Sequence, residues 1–262
     1  VWDVAYIKSG VKKPLFQATD SANGAPQPIT IRPQVGRNPE GGTMVYFGTG
    51  KYLENDDNVV PNSPQIQSFY GIKDPFPNNA NSMPVDRGDL LEQTIDYEQS
   101  GQTVDYRVTS ENAMGNNDDG WYLDLAPPPD NDAGVGERVI ANPVLRYDRI
   151  IFTTAIPSAD PCDYGGSGWL MELSALYGTR LSYAVIDVNG DGLINDLDVI
   201  NDGNDDYFVS GKRLDGIGEP GAIISAGDKE YKYISTSTGT INVTTEAGGG
   251  SQFARQSWRR LQ

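Results

Sequence analysis

Twelve consecutive residues carry the sharpest chemical signal in this 262-residue chain: Asp187-Val188-Asn189-Gly190-Asp191-Gly192-Leu193-Ile194-Asn195-Asp196-Leu197-Asp198. They match the loop pattern D-x-[DN]-x-[DN]-G, in which oxygen ligands are wrapped around a Ca2+ ion. Asp187, Asn189 and Asp191 supply side-chain oxygens at the first three ligand positions. Gly192 permits the sharp turn that a Cβ resists, and Leu193 offers its backbone carbonyl. Ile194 is expected to point inward and anchor the loop. Asn195 contributes directly or through water, and Asp198 closes the shell. The closing carboxylate is one methylene shorter than the Glu of a standard helix-loop-helix site, and residues 181–186 read as an entering strand. We therefore expect a strand-loop-turn calcium site with a Kd of roughly 10⁻⁷ to 10⁻³ M.

Other motifs carry less. Asn201-Asp202-Gly203-Asn204-Asp205-Asp206 is acidic but out of register, and reads as a solvated loop. Arg87-Gly88-Asp89 spells the integrin-binding tripeptide, read here as a surface turn with a capping Asp. Gly48-Thr49-Gly50-Lys51 lacks the G-x-x-x-x-G-K-[ST] spacing of a phosphate loop. Cys162 sits among acidic neighbours that disfavour its thiolate, so an inert thiol or a partner outside this segment is expected. The cluster Arg255-Gln256-Ser257-Trp258-Arg259-Arg260 reads as a closing strand.

Composition removes whole classes of chemistry. Histidine is absent and cysteine occurs once, so no Ser-His-Asp triad, HExxH zinc site or His/Cys zinc cluster can form within this chain. With 20 basic against 36 acidic residues the formal charge is −16, which suits hard cations and opposes binding to nucleic acid. The many acids make carboxylate pairs for glycoside hydrolysis uninformative. No apolar run approaches the length of a membrane span. The opening Val1-Trp2-Asp3 carries no initiator Met or signal peptide, so we expect a piece of a longer protein.

The elements that must position the loop are short and β-rich. Apolar segments of Val, Ile, Tyr, Phe and Thr alternate with turns drawn from the 30 Gly and 17 Pro. Strands are expected over 44–48, 120–125, 149–154, 168–173, 181–186 and 231–236, with a short helix over 89–94. Gly120-Trp121-Tyr122-Leu123-Asp124-Leu125 and Gly168-Trp169-Leu170-Met171-Glu172-Leu173 repeat G-W-x-x-acid-L at a spacing of 48 residues. A repeat of that length built from short strands points to β-propeller blades, with insertions at 54–66, 73–88 and 126–136.

Several segments together resemble the C-terminal domain of the PilY family, the type IV pilus biogenesis and tip-associated adhesins. They include Pro14-Leu15-Phe16-Gln17-Ala18-Thr19-Asp20, the run from Met44 to Leu53, Gln67-Ser68-Phe69-Tyr70-Gly71-Ile72, the first G-W repeat and the block from Ala141 to Trp169. The resemblance covers nearly the whole chain in order. It implies an all-β, modified β-propeller of quinoprotein-dehydrogenase-like blades without their catalysis. Residues 1–262 would form the C-terminal part of that propeller, with an EF-hand-like calcium loop inserted at 187–198. It also implies a non-enzymatic role in pilus extension, retraction and surface attachment, with minor or major pilins and host-cell surfaces as partners. The protein would sit at the cell surface, the pilus tip or the outer membrane. In the family the ligands fall at positions corresponding to Asp187, Asn189, Asp191 and Asn195; the last is Asn here, which leaves Asp196 or Asp198 to supply the missing charge. Two rival readings are a quinone-dependent dehydrogenase on the same architecture and a structural calcium module of another surface adhesin.

Overall fold

The two repeated Gly-Trp strands each lie in the interior of their own sheet, and their tryptophans share one core cluster. In the computed structural model the described residues are 14–74, 84–128 and 134–248. Their strands begin with β1 (Gln34–Arg37), β2 (Thr43–Gly48), β3 (Ser68–Asp74), β4 (Leu91–Gln93), β5 (Ile95–Glu98) and β6 (Tyr106–Thr109). Then come β7 (Gly120–Asp124), β8 (Val144–Arg146), β9 (Arg149–Thr153), β10 (Ile156–Pro157) and β11 (Gly166–Ser174). The last six are β12 (Val199–Asn201), β13 (Asp206–Phe208), β14 (Gly211–Leu214), β15 (Gly218–Ala226), β16 (Lys229–Thr236) and β17 (Ile241–Ala247).

One sheet has the order β1-β2-β3-β7-β4, with β4 parallel to β7 and the other pairs antiparallel. A second runs β5-β6-β14-β11-β9-β8, with β10 beside β11. The hairpin β12–β13 and the three-stranded sheet β15-β16-β17 complete the set. The architecture is all-β and blade-like, as the repeat predicts.

Each position of G-W-x-x-acid-L has a physical reason. A Cβ on Gly120 would meet the Gly71 carbonyl at 2.2 Å, and one on Gly168 the Thr154 carbonyl at 2.0 Å. Trp121 and Trp169 are both buried in the cluster that joins the two large sheets. There Phe69 and Phe152 stack with ring centroids 3.9 Å apart, and the Trp121 indole donates to the Ala175 carbonyl at 3.1 Å. The acids each take a cation: Asp124 accepts from Arg87, and Glu172 faces Arg149 and Lys232.

Two expected elements are corrected. Residues 89–94 are not helical: a 3₁₀ turn at Arg87–Asp89 leads directly into β4. Leu90 packs into one core cluster and Leu91 against the other, an alternation only an extended chain gives. Residues 181–186 are not a strand either; only Ile186 forms an isolated bridge, to Glu246. Val185 and Ile186, adjacent in sequence, pack into the same core cluster, whereas successive side chains of a strand point to opposite faces.

Behind this segment lies a buried ionic network. Lys232 on β16 touches both Glu172 on β11 and Glu246 on β17. Arg149 on β9 lies 2.7 Å from Glu172, at ion-pair distance but off hydrogen-bond alignment. Burial opposes ionisation of Glu172, but Lys232 and Arg149 outweigh it and hold its carboxyl below the usual range. Burial and then the Glu172 charge push Glu246 well above its ordinary value of 4.5, against the pull of Lys232. Nearby, burial lowers Lys212, whose ammonium donates to the Thr244 hydroxyl at 3.3 Å. Between 4.5 and its raised folded value, native Glu246 therefore binds more proton than the unfolded chain does, so its contribution falls as pH rises. Glu246→Gln should raise the urea midpoint at pH ~8, with the gain shrinking towards pH ~4.5. Equal shifts at both pH values would show that Glu246 does not titrate this way.

Candidate metal centre

The loop predicted from sequence closes on itself through its own side chains. Gly190 and Gly192 adopt φ of +74° and +77°, the left-handed turns that let residues 187–193 curl. Asp187 accepts the Gly190 and Gly192 N–H groups at 2.8 and 2.9 Å. Asn189 accepts from Asp191 at 2.9 Å, Asp191 from Leu193 at 2.7 Å, and Asn195 from Leu197 at 2.9 Å. Each such bond orients an oxygen while leaving it lone-pair capacity for a cation.

Asp198 is fully buried and behaves differently. One of its oxygens accepts the Val188 and Asn189 N–H groups at 2.9 and 3.3 Å, and the other accepts Asn195 N–H at 2.9 Å. Its carboxylate thus ties the start of the loop to its end. Asp196 and Leu193 are exposed, and Ile194 is half-buried.

The donor set is all oxygen, which fits a hard divalent cation. Among the described residues no group of three or more His, Cys, Asp or Glu side chains could hold a metal by itself. A cation in this curl would therefore draw on the amide oxygens of Asn189 and Asn195 and on the Leu193 carbonyl, beside Asp187 and Asp191. That mixed set of oxygen types is the one expected of a calcium loop.

What holds the loop in place was not visible in its motif. The Asp187 N–H donates to the Thr245 carbonyl at 3.2 Å and Ala247 N–H to Val185 at 2.8 Å, so β17 flanks the entering segment. Lys229, at the start of β16, donates to the Gly192 carbonyl. Tyr106 reaches the Val188 carbonyl at 3.4 Å, and burial, followed by Asp187 and Asp198, pushes its hydroxyl pKa up. Lys229 is 37 residues from Gly192, and no local pattern announces it.

The remaining motifs resolve plainly. Residues 201–206 span the β12–β13 hairpin, where Asp202 accepts from Asn204 and Asp205 at 2.8 and 3.0 Å. Arg87 is largely withdrawn from solvent: it lies 3.9 Å from the Tyr122 ring centroid and donates to Asp124, Tyr70 and the Thr19 carbonyl. Asp89 caps its own turn by accepting Asp86 N–H at 2.9 Å. Lys51 pairs with Glu54 at 2.6 Å and Asp57 at 3.2 Å, and Cys162 is an exposed free thiol. The expected closing strand at 255–260 and the opening Val1-Trp2-Asp3 lie outside the described residues. No helix among the described residues is long and apolar enough to cross a membrane.

Comparison with known proteins agrees with this architecture. Residues 1–106 match the family model described as the PilY1 beta-propeller domain. The chain is 32% identical over 267 residues to the type IV pilus biogenesis factor PilY1 of Pseudomonas aeruginosa PAO1, covering 95% of this chain and 22% of that protein. A PilY1 homolog of Xylella fastidiosa Temecula1 is 34% identical over 181 residues, 68% of this chain and 12% of the homolog. The chain thus spans about a fifth or less of the length of these curated relatives. The crystal structure of the Pseudomonas aeruginosa PilY1 C-terminal domain superposes with a TM-score of 0.73 at 27% identity, covering 89% of this chain and 48% of that one. Sequence, blade-like sheets and superposition point the same way: the chain belongs to the PilY1 family, through its C-terminal β-propeller domain.

Proposed function

We propose that this chain is a non-enzymatic, calcium-binding propeller domain of a type IV pilus assembly factor and tip adhesin, regulating pilus extension, retraction and surface attachment. Its partners on this reading are minor or major pilins and host-cell surfaces, and its place is the bacterial surface or pilus tip. The relatives' role in pilus biogenesis supports the setting. The observation that carries the calcium reading is the curl of 187–198, with its oxygens oriented by left-handed glycines and Asx bonds.

Asp187, Asn189, Asp191, Asn195 and the Leu193 carbonyl would hold the ion, while Asp198 keeps the loop closed. Bound calcium would offset the repulsion between Asp187 and Asp191. Because Asp187 pairs with Thr245 and Lys229 reaches Gly192, ordering the loop also orders the edge of β15–β17. Calcium can bias the pilus machinery only by its differential affinity for two states, and this sheet edge is the element through which such a difference would be felt. Titration calorimetry after chelator treatment tests the assignment. The unaltered chain should give a one-site isotherm, and Asp191→Ala should weaken it about 100-fold or more. Unchanged heat in Asp191→Ala would refute the ligand set.

A further inference from the structure

A cleft of about 830 Å³ opens where the turn between β8 and β9 meets the chain leaving β11. That volume lies within the range of small-ligand sites, roughly 300–1,000 Å³. Three tyrosines line it with their side chains partly in solvent: Tyr147 is 53% exposed, Tyr177 44% and Tyr183 40%. Tyr147 is held in place, with the Arg146 guanidinium 4.8 Å from its ring centroid and its hydroxyl donating to Glu230 at 3.4 Å. Its backbone has φ of +56°, a left-handed conformation that a bulky aromatic residue adopts only at a cost. The Tyr177 carbonyl is fixed by the buried Gln93 amide at 3.0 Å.

The polar groups of the cleft are unspent. Among the described residues the hydroxyl of the almost fully buried Tyr46 meets no hydrogen-bond partner, and the exposed Arg37 guanidinium and Asp148 carboxylate form no ion pair or hydrogen bond. A ligand that satisfies all three must offer both donors and acceptors, because Arg donates only and an ionised Asp accepts only. It must also present an apolar face to the tyrosine rings, whose negative π faces attract weakly positive C–H groups. A pyranose ring does both. An anionic ligand would meet Asp148 and a chain of net charge −16. A polyproline segment, the other frequent occupant of aromatic grooves, can give Asp148 a backbone N–H only at its non-proline positions.

We infer that this cleft binds a neutral oligosaccharide, with Tyr147, Tyr177 and Tyr183 as stacking faces and Tyr46, Arg37 and Asp148 as hydrogen-bonding groups. The cleft shares no residue with the loop at 187–198.

Saturation-transfer NMR on the 262-residue chain, with methyl β-lactoside, cellotriose and mannotriose as probes, tests it. At least one probe should receive magnetisation on its ring C–H protons and bind in the millimolar range, equally with and without EDTA. Asp148→Ala and Tyr177→Ala alter exposed side chains, and each should weaken that binding about tenfold or more. Transfer to none of the three sugars at tens of millimolar would overturn the inference, as would binding unchanged in both variants. A proline-rich decapeptide that binds where the sugars do not would identify a peptide groove instead. Loss of calcium binding in Asp191→Ala with sugar binding retained would leave this site standing, and the reverse outcome would leave the calcium loop standing.

Discussion

Replacing Lys232 with Met should cost about 3–5 kcal/mol of stability, the usual penalty for removing one partner of a buried ion pair. Lys232 is buried, and its ammonium touches two equally buried carboxylates, Glu172 and Glu246. Without it Glu172 keeps Arg149, but Glu246 loses the one cation that pairs with it among the described residues, and one of its oxygens already lacks a hydrogen-bond partner. The double variant Lys232→Met with Glu246→Met removes the stranded carboxyl as well, so it should recover much of the loss. Urea unfolding of the two single variants and the double variant measures the coupling, and strictly additive losses would refute it. The effect should reach the loop, because the same network joins β16 and β17 to β9 and β11, and β17 flanks the segment that enters at Asp187. Loosening that sheet should therefore also weaken the proposed calcium binding, through local opening rather than through any ligand.

Why this network escapes the eye in the sequence is instructive. In β16 the buried positions are Glu230, Lys232, Ile234 and Thr236, while Tyr231 and Tyr233 are only half-buried. Simple alternation of apolar and polar residues would favour the opposite register, with the tyrosines inward. The chain accepts buried charges because Glu172, placed by the second G-W-x-x-acid-L motif, and Arg149 await them across the interface. That pairing is decided by tertiary contact, beyond any window of local sequence. The loop at 187–198 is the contrary case. Its spacing, its two left-handed glycines and its Asx bonds all lie within twelve residues, so the curl itself was legible in the motif. The G-W repeat was legible for a similar reason, since each glycine is required by a backbone atom that approaches too closely for a Cβ. Residues 181–186 misled because Val and Ile suit a strand anywhere, whereas here Leu181, Val185 and Ile186 pack into one cluster with a single bridge to β17.

The other large effect is expected at Arg107, which is fully buried between the sheets. Its guanidinium makes a two-pronged pair with Glu137 at 2.8 Å for both bonds and a third bond to Glu98 at 2.7 Å, while lying 4.2 Å from the Trp169 ring centroid. Arg107→Met should therefore destabilise by about 3–5 kcal/mol at neutral pH. Arg107→Lys should recover only part, because a lysine is a point charge and cannot reproduce the planar fork. The pH dependence separates this account from simple loss of packing. Burial opposes ionisation of Glu137, but Arg107 outweighs it and holds the carboxyl below its ordinary value of 4.5. A depressed value contributes stability that is present above 4.5 and lost as pH falls through the folded value. In Arg107→Met only the burial penalty and weaker partners remain, so Glu137 should titrate above 4.5 and reverse the sign of its contribution. The deficit of Arg107→Met relative to the unaltered chain should thus narrow from pH ~7 to pH ~4. A deficit constant across that range would mean that Arg107 acts through its contact with Trp169 and not through its charge.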